Sequence, residues 1–205
     1  MGEQAATDWF SKPGDSVRAV MHRRGVTAKE LSADFDGGMN TVRAICDGSL
    51  AIDATIARSL SKRLGGGEAF WLKRQANFED AIDRAVTMLS ESERDAWLMR
   101  VPSPSGNKLP ANASAEKLRE ELRSRLVYFN VPKFESWERQ YGSLIGATRF
   151  RTSQTLESSE ESVLRWLRRG EMEAELAETG EWNPGNLQDR LDRVRKLSRV
   201  STPVR

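Results

Sequence analysis

The stretch "FDGGMNTVRAICDGS", residues 35–49, decides how the first half of the chain folds. Residues 39–46 predict a short helix whose inner face carries Val42 and Ile45, closed by "DGS". Glycine is a poor helix residue, costing roughly 1 kcal/mol relative to alanine, so two at the start of so short a helix need a reason. A chain reversal with a positive φ angle is one. A bulk-free position where the helix start approaches another molecule is a second. Upstream, Thr27 with Glu30 three residues on reads as a capping box. It opens a helix through Asp34 with Leu31 facing inward and Phe35 in the core. Two helices joined by a tight glycine turn, the second short and polar outside, form the helix-turn-helix pattern.

The flanking sequence predicts helices only. Pro13 and Gly14 open the first, with Asp15 or Ser16 near its N-cap; Val17, Val20 and Met21 recur at helical spacing until Gly25 stops it. Asp53 caps "ATIARSLSKRL", where Ile56, Leu60 and Leu64 share a stripe and the glycines at 65–67 end the helix. "GEAFWLKRQANFEDAIDRAVTML" reads as a longer fifth helix bearing Phe70, Trp71 and Phe78. Residues 13–100 thus predict an all-α domain behind a flexible leader, residues 1–12. "VPSPSGNKLPANAS", residues 101–114, has the composition of a linker. Residues 115–205 predict a second helical domain. Its stripes are Leu118, Leu122, Leu126 and Phe129; Phe134, Trp137 and Tyr141; Val163, Leu164, Trp166 and Leu167, on a helix broken at Gly170; and Leu187, Leu191, Val194 and Leu197. Such stripes predict buried core faces. "GATRFRTSQTLES", residues 146–158, reads as irregular or extended.

Composition narrows the function classes. No apolar run approaches the ~18 residues a membrane span needs, and "MGEQAATDWF" lacks the basic start and apolar stretch of a signal peptide. The single cysteine, Cys46, allows no internal disulfide and fits a reducing cytoplasm. The lone histidine, His22, and Cys46 are too few for a zinc hydrolase. No G-x-S-x-G, Walker or G-x-G-x-x-G motif is present. "EMEAELAETGE", residues 171–181, reads as surface helix charge. The chain is therefore expected to be no enzyme and to need no cofactor or metal. Its net charge is only +2, but Arg190, Arg193, Arg195, Lys196, Arg199 and Arg205 crowd its end. That basic run suits either phosphates or a solvated helix face.

Residues at the start of a second helix of this kind reach base edges in the major groove. Here they are Gly38, Met39, Asn40, Thr41 and Arg43. Asn pairs with adenine and Arg with guanine through two hydrogen bonds, and apolar groups touch the thymine methyl. Thr27, Ala28, Lys29 and Ser49 would sit over the sugar-phosphate backbone. Arg149 and Arg151, with Arg190, Arg193, Arg195, Lys196 and Arg199, are candidates for a second DNA contact.

Across residues 13 to about 80 the chain resembles the HigA-type antitoxin branch of the Cro/C1 (XRE) helix-turn-helix family. The matching pieces are "PGDSVRAVM", "VTAKELSADF", "NTVRAICDGS", "AIDATIARSLSKRLG" and above all "EAFWLKRQANFEDA". The chain departs from the family at Ala28, where glutamine is common, and at Gly38 and Met39. The second half is similar to the helical connector of regulators fused to ImmA/IrrE-type zinc metallopeptidases, in "LVYFNVPKFESWERQYG", "ATRFRTSQTLESSEESVLRWLRRGEMEAE" and "RVRKLS"; the peptidase is absent. These resemblances imply an N-terminal five-helix Cro/C1-type domain and a sequence-specific repressor or autoregulator of a double-stranded DNA operator, commonly a homodimer on a palindrome. The alternatives are an antitoxin neutralising a toxin protein, a partner of a separately encoded metallopeptidase, and a prophage-type immunity repressor using both domains on DNA.

Overall fold

The structure is a computed structural model, which describes residues 10–142, 159–177 and 183–197. It is all-α, with no strand among the described residues. The helices are α1 (Pro13–Arg24), α2 (Ala28–Ser32), α3 (Gly38–Asp47), α4 (Ala54–Leu64), α5 (Glu68–Met88), α6 (Glu91–Arg100), α7 (Ala115–Phe129), α8 (Phe134–Trp137, continuing as a π turn over Glu138–Gly142), α9 (Glu160–Ala174) and α10 (Pro184–Leu197). No helix among the described residues is long and apolar enough to cross a membrane.

Two apolar cores organise them, and both draw on α5. The first joins Val17 and Met21 of α1, Leu31, Val42 and Ile45, Leu60 and Leu64, and Trp71 near the start of α5. The second joins Phe78, Ile82 and Val86 from the rest of α5 to Trp97, Leu122, Leu126, Phe129, Trp137, Tyr141 and Leu164. The expected boundary at 101–114 is therefore misplaced, because the division between cores falls inside α5. Nor does the supposed linker begin as a free segment: Val101, Pro102 and Ser103 are buried. The cause lies in α7. The buried Arg125 guanidinium donates to the carbonyls of Trp97, Leu98 and Val101 at 2.7, 2.8 and 2.6 Å and pairs with Glu121 at 2.7 Å. One planar fork with several donors closes the end of α6 onto α7.

Other sequence expectations change for local reasons. The long fifth helix stops at Leu89, since Ser90 and Glu93 form a capping box that starts α6. Helix α1 is capped at Lys12 rather than at Asp15 or Ser16, since Pro13 occupies its first position and Asp15 accepts from the Lys12 amide. The leader is likewise fixed by residue 10: Phe10 is buried edge-on against Phe78, and Arg74 of α5 bonds Ser11, Lys12 and Ser16. Helix α9 runs through Gly170 unbroken. Phe70, Trp166, Leu187 and Leu191 are exposed rather than buried. At Phe70 the reason is its neighbour, since Trp71 takes the inward position and donates to the Gly65 carbonyl at 2.9 Å. The segment 146–158 lies outside the described residues.

The "FWLKRQANF" run now has a physical account. Trp71 fills the first core and Phe78 the second, Arg74 ties down residues 11 and 12, and Gln75 accepts from the Ile52 amide at 3.1 Å. Its tightly specified spacing holds α5 between the two cores and the α3–α4 loop.

Candidate nucleic-acid interface

Helix α2 is set by its cap. Thr27 Oγ1 accepts from the Glu30 amide, while the Thr27 amide donates to the Glu30 carboxylate at 2.8 Å, which together with the Thr27 hydroxyl holds that carboxyl below its usual pKa. After α2, Asp34 takes two bonds from Arg63 of α4, 2.5 and 2.8 Å long, which lower its pKa and pin the reversal that follows. Gly38 then adopts a φ of +56° at the first position of α3. Only glycine enters that region without strain, which answers why the helix starts on one.

The inner face of α3 is Val42, Ile45 and Cys46, all buried. Burial pushes the Cys46 thiol up to about 12, so it stays protonated and packs as a small apolar group. Lys12 Nζ donates to the Asp47 carbonyl at 2.9 Å and fixes the far end of the helix. With both ends held, α3 presents a defined outer face.

The expected base-reading residues divide on this helix. Asn40 is exposed; Thr41 and Arg43 are half-buried; Gly38 lies at the turn. Met39 faces the other way and packs against the first core, so it is removed from the outer face. Arg43 Nη1 lies 3.4 Å from Asn40 Oδ1, which keeps the two polar groups adjacent. Arg43 is also occupied from outside the motif: its Nε donates to Glu173 at 2.8 Å. The charges of the "EMEAE" run are thus more than solvated surface charge.

No family model, no curated protein and no solved structure matches the chain.

The expected backbone-contacting residues are also sorted by the structure. Lys29 is exposed at the start of α2. Ala28 is buried, so its methyl serves the core. Thr27 spends its hydroxyl within the cap. The Ser49 hydroxyl and amide both donate to Asp47 Oδ1, at 2.5 and 2.9 Å. That places a carboxylate beside the expected phosphate contact. The second group is split: Arg190, Arg193, Arg195 and Lys196 are exposed on α10, whereas Arg149, Arg151 and Arg199 lie outside the described residues.

Sequence reasoning missed Arg18, Arg169, Glu173 and Glu175. Arg18 of α1 pairs with Glu175 and with Asp15, and Arg169 of α9 pairs with Glu173 and Asp47. The signal available was Met172 and Leu176 at i, i+4 among the acidic residues, an apolar edge that a wholly solvated face would lack.

Proposed function

We propose that the chain is a sequence-specific DNA-binding regulator of the Cro/C1 type that reads the major groove with α3. The observation that supports this most is the presentation of Asn40. It stands exposed one turn into a helix whose opposite face is locked in the core, with Arg43 beside it. Helix α3 follows a capped α2 across a turn that Gly38 makes possible. Asn and Arg on neighbouring positions suit adenine and guanine, each good bidentate pair contributing about 1–3 kcal/mol of discrimination. Lys29 at the start of α2 supplies charge for a phosphate.

A second contact is favoured by α10. Arg190, Arg193, Arg195 and Lys196 are exposed within two turns, a density suited to counterion release along a duplex. In this reading the protein acts in the cytoplasm, by binding rather than catalysis.

The test is a random-oligonucleotide binding selection with the full chain. The expected result is an enriched motif. A palindromic motif indicates two copies, and an asymmetric one indicates a single chain using both α3 and α10. No enrichment at modest ionic strength would overturn the proposal.

A further inference from the structure

Helix α9 is anchored at one end and loaded with charge at the other. Near its start it belongs to the second core: Leu164 is buried there, Tyr128 Oη donates to the Arg165 carbonyl at 2.9 Å, and Arg168 Nε returns a bond to the Tyr128 carbonyl at 2.8 Å. Its last turn leaves that core and lies along α1 and α3. Met172 is buried, and Leu176 packs against the first core. Glu173 holds Arg43, and Glu175 holds Arg18. Arg169 closes the contact, reaching Glu173 at 2.7 Å and Asp47 at 3.6 Å. Beyond the helix end, Leu176 and Ala177 line a cleft shared with Met21, Thr27 and Ala28, at the start of α2.

We propose that residues 169–177 are an autoinhibitory strap, a carboxylate-bearing stand-in that occupies the arginines and the flank of α2 which a duplex would use. This inference rests on the DNA-reading assignment and adds its regulation. The chemistry is competitive. A guanidinium that donates to Glu173 is oriented toward the flank of α3 and is unavailable to a base edge or a phosphate. Glu175 beside the start of α2 repels an incoming phosphate over a few ångströms, where screening by salt is weak.

The strap is also built to be reversible. The side chains of Arg43, Glu173 and Glu175 are each more than a third exposed, and ion pairs of that kind are individually weak. Leu176 is only half-buried. The anchoring bonds of Tyr128 and Arg168 lie one to three turns back, so the last turn can lift while the helix stays attached. A high-affinity site supplies many phosphates against two carboxylates and displaces it; isolated phosphates do not. The strap thus raises the threshold for binding and sharpens discrimination against non-specific duplex.

The test uses the full chain and a duplex carrying the selected motif, with affinity read by fluorescence anisotropy at one fixed ionic strength. Glu173→Gln/Glu175→Gln is compared with a charge-matched control, Glu116→Gln/Glu135→Gln, whose side chains touch neither Arg18 nor Arg43. The expected result is binding tighter than the control by about two- to thirty-fold, from the range of two partly exposed ion pairs, with the motif unchanged. Leu176→Ser removes the apolar contact while keeping every charge, and shifts affinity in the same direction; it decides the matter if the double variant loses its helical circular dichroism. Equal affinity for the strap variants and the control, with the wild type still selecting its motif, overturns the strap and leaves the DNA-reading assignment standing. Loss of any duplex preference in the wild type overturns the assignment, and the strap with it.

Discussion

Replacing Arg125 by methionine tests the joint between α6 and α7. The guanidinium is buried and bonds three carbonyls and Glu121. Methionine fills a similar volume without a donor. The Trp97 carbonyl keeps one partner, the Val101 amide at 3.2 Å, but the carbonyls of Leu98 and Val101 lose the donors described here. Each buried acceptor left unpaired costs about 1–3 kcal/mol, and Glu121 loses its counter-charge in a largely buried setting. The expected loss is about 3–5 kcal/mol, in line with breaking a buried ion pair by removing one partner. Urea unfolding followed by tryptophan fluorescence and far-ultraviolet circular dichroism measures it, and Arg125→Lys, which keeps charge but not the fork, is expected to fall between. A loss below about 1 kcal/mol for the methionine variant would refute the reasoning, because apolar packing alone would then hold residues 97–103.

The remaining stability predictions follow from close approach and from burial of charge. A Cβ on Gly14 would lie 2.4 Å from Cys46 Cα and from the Cys46 carbonyl oxygen, so Gly14→Ala is expected to destabilise by about 1–3 kcal/mol through overpacking. Gly170 in α9 has open space around that position, so Gly170→Ala is expected to stabilise by about 0.5–1 kcal/mol; equal effects at the two sites, measured by urea unfolding, would contradict the packing of α1 on α3. Burial lowers Lys12 from 10.5 to about 8, so between those values the unfolded chain holds a proton that the folded chain has released, and stability rises with pH. The rise, about 1 kcal/mol between pH 8 and 9, is opposed above pH 9, where the unfolded Cys46 thiol ionises and the buried one does not. Lys12→Met should abolish the rise; an identical profile in that variant would assign it to another group.

Legibility in the sequence followed the range of the interaction. The Thr27–Glu30 and Ser90–Glu93 boxes are three-residue patterns, and a local pattern can be read directly; the second was overlooked because an unbroken apolar rhythm runs across it. The inner face of α3 was legible from its spacing, except that Met39 was given to the wrong side: at the first turn of a helix, inward and outward positions depend on where the helix starts, and Gly38 starts it one residue earlier than expected. Residues 101–103 read as linker because composition is local, whereas the donor that buries them sits more than twenty residues downstream. The pairs Arg43–Glu173 and Arg18–Glu175 span 130 and 157 residues. No periodicity encodes such contacts, since a charge pattern shows that a residue wants a partner without showing which one.

Repeating the binding selection with Asn40→Ala tests the central claim most directly. Asn40 is exposed and lies outside both cores, so its removal leaves the fold intact. The account predicts that the recovered motif keeps its length and loses preference at one base position, adenine above all, with about 1–3 kcal/mol of discrimination gone there. A motif identical to that of the wild type, or affinity lowered equally on every duplex, would contradict the assignment of α3 to base reading.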